Sequence, residues 1–192
     1  ISDCLVQYSG TWSDSWSSVR NATSGNGRNY TVTTSMNGIG YWYFSYPTMR
    51  RTFYEFDTSS LPDNSQIDSV VMTIYGYGVN TNYQSGISIQ KGTQANSHAD
   101  LADYDAFSGS EYGRTNNWHV EYPGSNVNTI TFNSTGISEI NKAGITKLCA
   151  RLTIDYDNTP PPYNIERRSS AYFADYSGTS YDPKLVINYN LY

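Results

Sequence analysis

Alternation of apolar and polar side chains along short segments is the feature that most constrains the fold of this chain. In segment 65–77, Val70, Met72 and Ile74 fall on one face of an extended strand, and the residues between them fall on the other. The same period of two recurs in further segments separated by Gly, Pro, Asn and Asp. The predicted strands are 29–35, 39–46, 51–57, 65–77, 86–91, 127–132, 147–156 and 183–192. Many short strands joined by turns predict an all-β sandwich or barrel.

One segment has helical rather than extended spacing. In 135–143, Ile137 and Ile140 are three residues apart, and Gly144 is a stop signal. We therefore expect at most one short helix, closing one end of the sandwich. The length of 192 residues suits one domain, and no repeat with a period of about 20–50 residues is seen. The sequence predicts a single β-domain over 1–192.

Composition indicates a folded β-protein and argues against two classes of partner. Nineteen Tyr, four Trp and six Phe in a chain that is only 15% charged are atypical of disorder. A net charge of −5 disfavours nucleic-acid binding, which needs a basic surface. No apolar run approaches the about 20 residues that a membrane helix requires. We expect neither a nucleic-acid partner nor a membrane span.

Residues that carry enzyme chemistry are few and scattered. The two histidines, His98 and His119, lie in no recognisable nucleophile setting, and the Gly-x-Ser-x-Gly motif does not occur. The five Glu residues show no paired arrangement of the kind glycosidases use. There is no phosphate-binding loop or dinucleotide fingerprint. We predict that the protein is not an enzyme and needs no catalytic cofactor.

The two cysteines are Cys4 and Cys149. If 147–156 is a strand, its alternation places Cys149 with Arg151, Thr153 and Asp155 on the face away from the main core. A half-exposed thiol there favours a disulfide between Cys4 and Cys149, and hence an oxidising compartment. The alternative is a pair of unrelated free thiols.

Two groups of acidic residues suit a hard cation, because Ca²⁺ prefers carboxylate and amide oxygens in loops. Asp100, Asp103 and Asp105 form the first group, and a second lies at 155–158. Neither has the EF-hand spacing. The sequence allows a structural Ca²⁺ at Asp100, Asp103 and Asp105, and solvated loop carboxylates are the alternative.

Aromatic side chains are the stronger candidates for binding, because Tyr and Trp rings combine a flat apolar face with a polar tip. Segment 41–46 must present aromatic rings on both faces of a strand, and other rings lie in polar, loop-like surroundings. The predicted ligand-binding residues are Trp12, Trp16, Tyr41, Tyr43 and Trp118. The alternative for each ring is a place in the core.

Two segments together resemble a known family. Segment 56–75 contains a Phe-Asp pair, a Leu-Pro turn, and an Ile that leads into an alternating strand; segment 169–187 ends in a polar loop, Pro-Lys-Leu and a final strand. This order resembles the DNRLRE, or disaggregatase-related, jelly-roll modules. The resemblance implies an all-β jelly-roll β-sandwich as the single domain 1–192. Such modules are found on secreted, cell-surface and phage virion or fibre proteins, and some members are carbohydrate-binding modules. The aromatic segment 40–46 departs from the family's pattern.

These observations predict a non-enzymatic structural or adhesive module of a cell surface, an appendage or a virion, of fibre or capsid-decoration type. Its partners would be other protein subunits. The alternative is a carbohydrate-binding module that recognises a polysaccharide through exposed aromatic rings. Both place the protein outside the cell or on a virion.

Overall fold

The computed structural model describes residues 2–11, 13–30, 34–42, 45–78, 85–95, 98–120, 125–162 and 166–191, with backbone alone for 34–42 and 45–47. Within these ranges the chain forms eleven strands. They are β1 (Ser2–Ser9), β2 (Gly27–Asn29), β3 (Thr34–Trp42), β4 (Ser45–Asp57), β5 (Ser65–Tyr75), β6 (Ile87–Gly92), β7 (Phe107–Thr115), β8 (Val127–Thr131), β9 (Ile145–Leu152), β10 (Arg167–Tyr172) and β11 (Lys184–Leu191). The predicted all-β class is confirmed.

The strands form two antiparallel sheets of unequal size. The large sheet has the order β10-β3-β4-β9-β6-β7, with β1 also paired to β4 and β2 paired to β1. The small sheet has the order β11-β5-β8. The long strand β4 is the organising element of the large sheet, because it pairs with β1, β3 and β9.

Within the described ranges, three short α-helices interrupt the sheets, where the sequence predicts one helix at most. They are α1 (Trp16–Arg20), α2 (Ser134–Ser138) and α3 (Thr153–Tyr156). Helix α2 begins where Asn133 accepts the backbone N–H of Gly136, a side-chain N-cap, and it confirms the predicted helix in shorter form. Helix α3 ends the predicted strand 147–156 early, at Leu152.

The core is continuous through both sheets. Val70, Met72 and Ile74 of β5 are fully buried, as the alternation of 65–77 predicts, and they belong to one cluster with Phe53 and Leu148 of the large sheet. Strand β9 is buried on both faces: Leu148 and Ala150 are covered on one side, and Cys149 and Arg151 on the other. The prediction of a half-exposed face at Cys149 and Arg151 is therefore wrong.

A layer of non-strand structure explains the second buried face. Tyr104 lies there and donates its hydroxyl hydrogen to the carbonyl oxygen of Val19 in α1, at 2.9 Å. Arg51 reaches from β4 to the carbonyl oxygen of Tyr104 at 2.9 Å. Periodicity along one strand cannot reveal such a cover, because its residues come from distant parts of the chain.

A candidate site at the junction of the two sheets

A short bridge between Gly76 and Ala171 joins the end of β5 to β10, and so connects the two sheets. Gly76 is needed at this bridge, because a Cβ there would collide with the carbonyl oxygen of His119. The carbonyl oxygen of Ser170 in β10 accepts the backbone N–H of Tyr77 at 3.0 Å and the indole N–H of Trp118 at 2.8 Å. The junction is therefore held by backbone contacts and one buried indole.

Five tyrosine rings gather at this junction and are named here the tyrosine cluster. Its members are Tyr75, Tyr77, Tyr172, Tyr176 and Tyr181. The rings of Tyr172 and Tyr181 stack with centroids 4.5 Å apart and planes at 12°. Tyr176 and Tyr77 meet Tyr172 edge-on, at 4.5 and 5.2 Å. Offset and edge-to-face contacts of this kind stabilise aromatic pairs beyond the area they bury.

Exposure differs sharply among the rings. Tyr172 is 3% exposed and acts as the central anchor, whereas Tyr77 is 43% exposed. Tyr75, Tyr176 and Tyr181 are half-buried. The tyrosine cluster is therefore packed around the buried ring of Tyr172, and Tyr77 is its most exposed ring.

Three carboxylates belong to, or contact, the segment of the chain that carries Tyr176 and Tyr181. Asp175 precedes Tyr176, Asp182 follows Tyr181, and the buried Asp3 of β1 accepts the backbone N–H of Ala174 at 2.8 Å. Burial, and next the negative charges of Asp175 and Asp182, raise the pKa of Asp3 to about 7 although the Ala174 hydrogen bond lowers it. Oδ1 of Asp182 is buried without a hydrogen-bond donor. The segment that carries Tyr176 and Tyr181 is thus next to a buried carboxylate whose charged form is disfavoured and to one Asp182 oxygen without a hydrogen-bond partner.

One cation of the chain lies at the edge of the cluster. Lys184 at the start of β11 donates to the hydroxyl of Tyr75 at 3.3 Å, and its Nζ lies 5.4 Å from the centre of that ring. Tyr77, Tyr176 and Tyr181 carry no such cation among the described residues. Flat rings, hydroxyl tips and adjacent carboxylates are groups that bind a partner by stacking and by accepting hydrogen bonds.

Trp118, which the sequence predicts as an exposed binding residue, is buried at this same junction. It is 4% exposed, and the hydrogen bond from its indole to Ser170 uses the polar tip. The expected exposure of Trp118 is therefore wrong: the ring is buried, and it supports the backbone beneath Tyr77.

The other predicted aromatic residues are placed as follows. Trp16 is half-buried in α1, packs against the core, and donates to the Oδ1 atom of Asn158 at 2.9 Å. Tyr41 lies in β3, where the backbone alone is described. Trp12 and Tyr43 lie outside the described residues. The tyrosine cluster itself was missed, although three tyrosines within ten residues of 172–181 are a visible signal.

The predicted Ca²⁺ ligands do not converge. Asp100 forms an ion pair with Arg28, while Asp103 accepts the backbone N–H of Asp100 at 2.7 Å. Asp105 is an exposed residue. Across the described ranges, no three acidic, His or Cys side chains are placed to share a metal ion. Asp100 is thus engaged in an ion pair, and Asp103 in a turn.

The predicted disulfide is wrong. Cys4 of β1 lies opposite Phe53 of β4, and Phe53 lies opposite Cys149 of β9. Two strand spacings of about 4.8 Å separate the cysteines. A disulfide needs Cα atoms within about 4.4–6.8 Å. Both cysteines are free and buried.

A buried ionic network, which sequence reasoning also missed, lies on the second face of the large sheet. Asp155 of α3 binds Arg51 at 3.0 Å and Arg151 at 2.7 Å, and all three side chains are nearly inaccessible. Burial alone would raise the pKa of Asp155, but the two guanidinium groups outweigh it and lower the pKa to about 2. Gln90 accepts a further hydrogen bond from Arg151 at 2.7 Å. Because these charged groups bind one another, the network is structural.

Comparison with known proteins found no family model and no curated protein that matches this chain. The resemblance to the DNRLRE modules therefore stays a prediction. No helix in the described part of the chain is long and apolar enough to span a membrane.

Proposed function

We propose that this chain is a non-enzymatic structural or adhesive module of a cell surface, an appendage or a virion, and that it makes its contacts through the tyrosine cluster. The observation that carries the proposal is that the ring of Tyr77 is exposed while the ring of Tyr172, which it contacts, is buried. Tyr172 fixes the cluster, so Tyr77 and its neighbours meet a partner with little further loss of conformational freedom. An aromatic anchor buried at an interface contributes about 2 kcal/mol or more.

The composition supports the same function. Only 15% of the residues are charged, and surface ion pairs contribute about 0–1 kcal/mol each, so contacts by aromatic and hydrogen-bonding groups are the stronger source of affinity. Other exposed apolar residues lie in β11, where Val186 is 49% and Leu191 is 61% exposed. A module with such surfaces is suited to assembly with other subunits.

A second candidate function is polysaccharide binding. The observation that favours it is the position of Asp175 and Asp182 next to half-buried tyrosine rings. Sugar rings stack on aromatic faces, and their hydroxyl groups donate to carboxylates. In this function the same residues would bind a neutral glycan.

The experiment compares the wild-type protein with the double variant Tyr77→Ala/Tyr176→Ala and the control Tyr30→Ala. Tyr30 is also exposed, at 39%, but packs against His98 outside the cluster. Sedimentation at high concentration measures self-association, and pull-down on insoluble cellulose, chitin and starch measures glycan binding. We expect association or retention to be lost in the double variant and kept in the control. Equal behaviour of all three proteins in every assay would overturn the proposal.

A further inference from the structure

The last strand of the small sheet, β11, has one edge that no described strand covers. β11 pairs along its whole length with β5, and within the described ranges it pairs with no second strand. The other outer strand of this sheet, β8, is approached so closely by β7 that a Cβ on Gly113 would collide with the carbonyl oxygen of Thr131. Residues 188–191 of β11 are all exposed. Backbone N–H and C=O groups along this edge are therefore open to another strand.

The sequence of β11 lacks the features that usually protect such an edge. From Leu185 to Leu191 it reads Leu-Val-Ile-Asn-Tyr-Asn-Leu, with no charge, no Pro and no Gly. Free edges are commonly protected by charges, Pro or a bulge, and segments without them pair readily with copies of themselves. The one irregularity in its pairing leaves Asp68 of β5 as the extra residue, so β11 itself stays regular.

Large apolar side chains remain in solvent along this strand. Leu185 and Ile187 pack against the core, whereas Tyr189 and Leu191, which follow at the same spacing of two, are 40% and 61% exposed. Val186 on the opposite face is 49% exposed. A strand added at the free edge would place side chains beside these residues and remove apolar surface from water.

The order of side chains around Asn188 is nearly symmetric, and this symmetry indicates which strand fits. If two copies of β11 pair antiparallel with Asn188 at the centre, Leu185 lies opposite Leu191 of the second copy. In the same register Ile187 lies opposite Tyr189 of the second copy. Apolar pairs and pairs of an aromatic with a β-branched residue stabilise neighbouring strands. The strand is thus complementary to itself.

The charges at the two ends of the strand fit the same pairing. Lys184, the one charged residue of β11, begins the strand; at the other end Asn190 donates to the Oδ2 atom of Asp68 at 2.6 Å. Antiparallel pairing brings Lys184 of each copy toward the Asp68 end of the other. Parallel pairing in register would place the two Lys184 side chains together. Charge complementarity therefore favours the antiparallel arrangement.

We propose that β11 is a docking edge for β11 of a second copy of this chain, paired antiparallel about Asn188. The two small sheets then form one sheet of order β8-β5-β11-β11-β5-β8. A two-fold contact of this kind closes as a dimer. The inference goes beyond the proposed function, because the tyrosine cluster lies before the start of β11 and stays free for further subunits or for a glycan.

The test places charges at the two-fold axis. In Asn188→Lys two ammonium groups face each other, and in Asn188→Asp two carboxylates do, so each protein alone should dimerise at least about tenfold more weakly than the wild type. An equimolar mixture should regain dimers that contain one copy of each. Sedimentation equilibrium measures the dissociation constants, and native mass spectrometry identifies the mixed dimer.

The matched control is Thr129→Lys, which adds the same charge at an exposed residue of β8, on the same face of the small sheet but away from the free edge. It should dimerise like the wild type. A wild-type chain that is monomeric at about 1 mM, equal weakening in Asn188→Lys and Thr129→Lys, or a mixture that regains no dimer would each overturn the inference.

Two further measurements keep the inference testable if an Asn188 variant does not fold. In the wild-type chain, amide hydrogens of 184–191 should exchange more slowly at high than at low protein concentration, and equal rates would contradict the contact. The variant Tyr77→Ala/Tyr176→Ala should still dimerise while losing association beyond the dimer. If it becomes monomeric, the docking edge is wrong and the proposed function stands; if it dimerises and otherwise behaves as the wild type, the reverse holds.

Discussion

At the scale of single residues, burial changes the chemistry of side chains that a sequence pattern treats as ordinary. Cys4 and Cys149 are the clearest case, because a strand separates them and both are inaccessible. Burial raises the pKa of the Cys4 thiol to about 11 and that of the Cys149 thiol to about 12. The thiolate is the reactive form, so both cysteines should be inert in the folded protein.

The first prediction follows directly. Iodoacetamide at pH 8 without reductant should leave the native protein unmodified and should alkylate both cysteines once the protein is unfolded in denaturant. Intact-mass spectrometry counts the added groups. A denatured, unreduced protein that takes up no label would show that the thiols are bonded and that the register of β1 or β9 differs from the one described.

Asp3 gives a prediction about pH. Its pKa is raised from 3.8 to about 7 by burial, so the folded state holds the proton more tightly than the unfolded state. The contribution of Asp3 to the free energy of unfolding is therefore fully present below about pH 3.8. It is lost as the pH rises through about 7. The variant Asp3→Asn can still accept the Ala174 N–H but cannot ionise.

We expect Asp3→Asn to be more stable than the wild type above pH 7, by about 1–4 kcal/mol, and to show a smaller change in stability between pH 4 and 8. Urea unfolding across this range measures the difference. If the free energy of unfolding changes with pH in the same way in both proteins, the ionisation of Asp3 does not cause the pH dependence.

At the scale of elements, several segments are strands because of the strands they pair with, and their own residue pattern does not predict them. Strand β1 was missed because Asp3, Cys4, Leu5 and Val6 are all buried, so the segment has no alternation to detect. Strand β7 was missed because Phe107–Thr115 is mostly polar. Helix α3, in contrast, replaces the end of a predicted strand and places Asp155 between two arginines.

The third prediction concerns this buried network, which ties α3 to β4 and β9. Asp155→Asn leaves two buried guanidinium groups without their carboxylate and should lower the free energy of unfolding by about 3–5 kcal/mol. The control Asp157→Asn removes an exposed carboxylate two residues away, bound to Arg114, and should cost about 0–1 kcal/mol. Chemical denaturation compares the variants.

Acid should affect the same network in a defined direction. Because the pKa of Asp155 is lowered to about 2, its stabilising effect is present above about pH 3.8 and is lost as the pH falls through 2. The Asp155→Asn protein should therefore show a smaller loss of stability in this window. If Asp155→Asn lowers the free energy of unfolding by no more than Asp157→Asn does, the structural role of the network is contradicted.

At the scale of the whole molecule, the tyrosine cluster depends on how the two sheets meet. Gly76 permits the close approach of the backbone at His119, and the bridge to Ala171 brings β5 beside β10. The cluster takes Tyr75 and Tyr77 from one end of β5, and the other three rings from Tyr172 and the connection that leads to β11.

The fourth prediction is that Gly76→Ala disrupts this meeting point. The added methyl group must displace the backbone, which should cost about 1–3 kcal/mol and weaken contacts between Tyr77 and Tyr172. In the control Gly144→Ala, the nearest atom is the amide nitrogen of the Asn141 side chain at 3.2 Å, which can move aside. Thermal unfolding and near-ultraviolet circular dichroism of the tyrosines measure both effects. Unchanged tyrosine signals in Gly76→Ala would argue that the bridge does not set the cluster.

The sequence by itself determined the β class, the strand β5 with its buried Val70, Met72 and Ile74, and the place of helix α2. These follow from side-chain period and capping, which act over a few residues. The tertiary structure alone decided that Cys4 and Cys149 lie two strands apart, that Trp118 is buried, and that five tyrosines meet at one junction. The physical reason is that strand order and the layers that cover a sheet depend on pairings between distant segments, which no local period encodes.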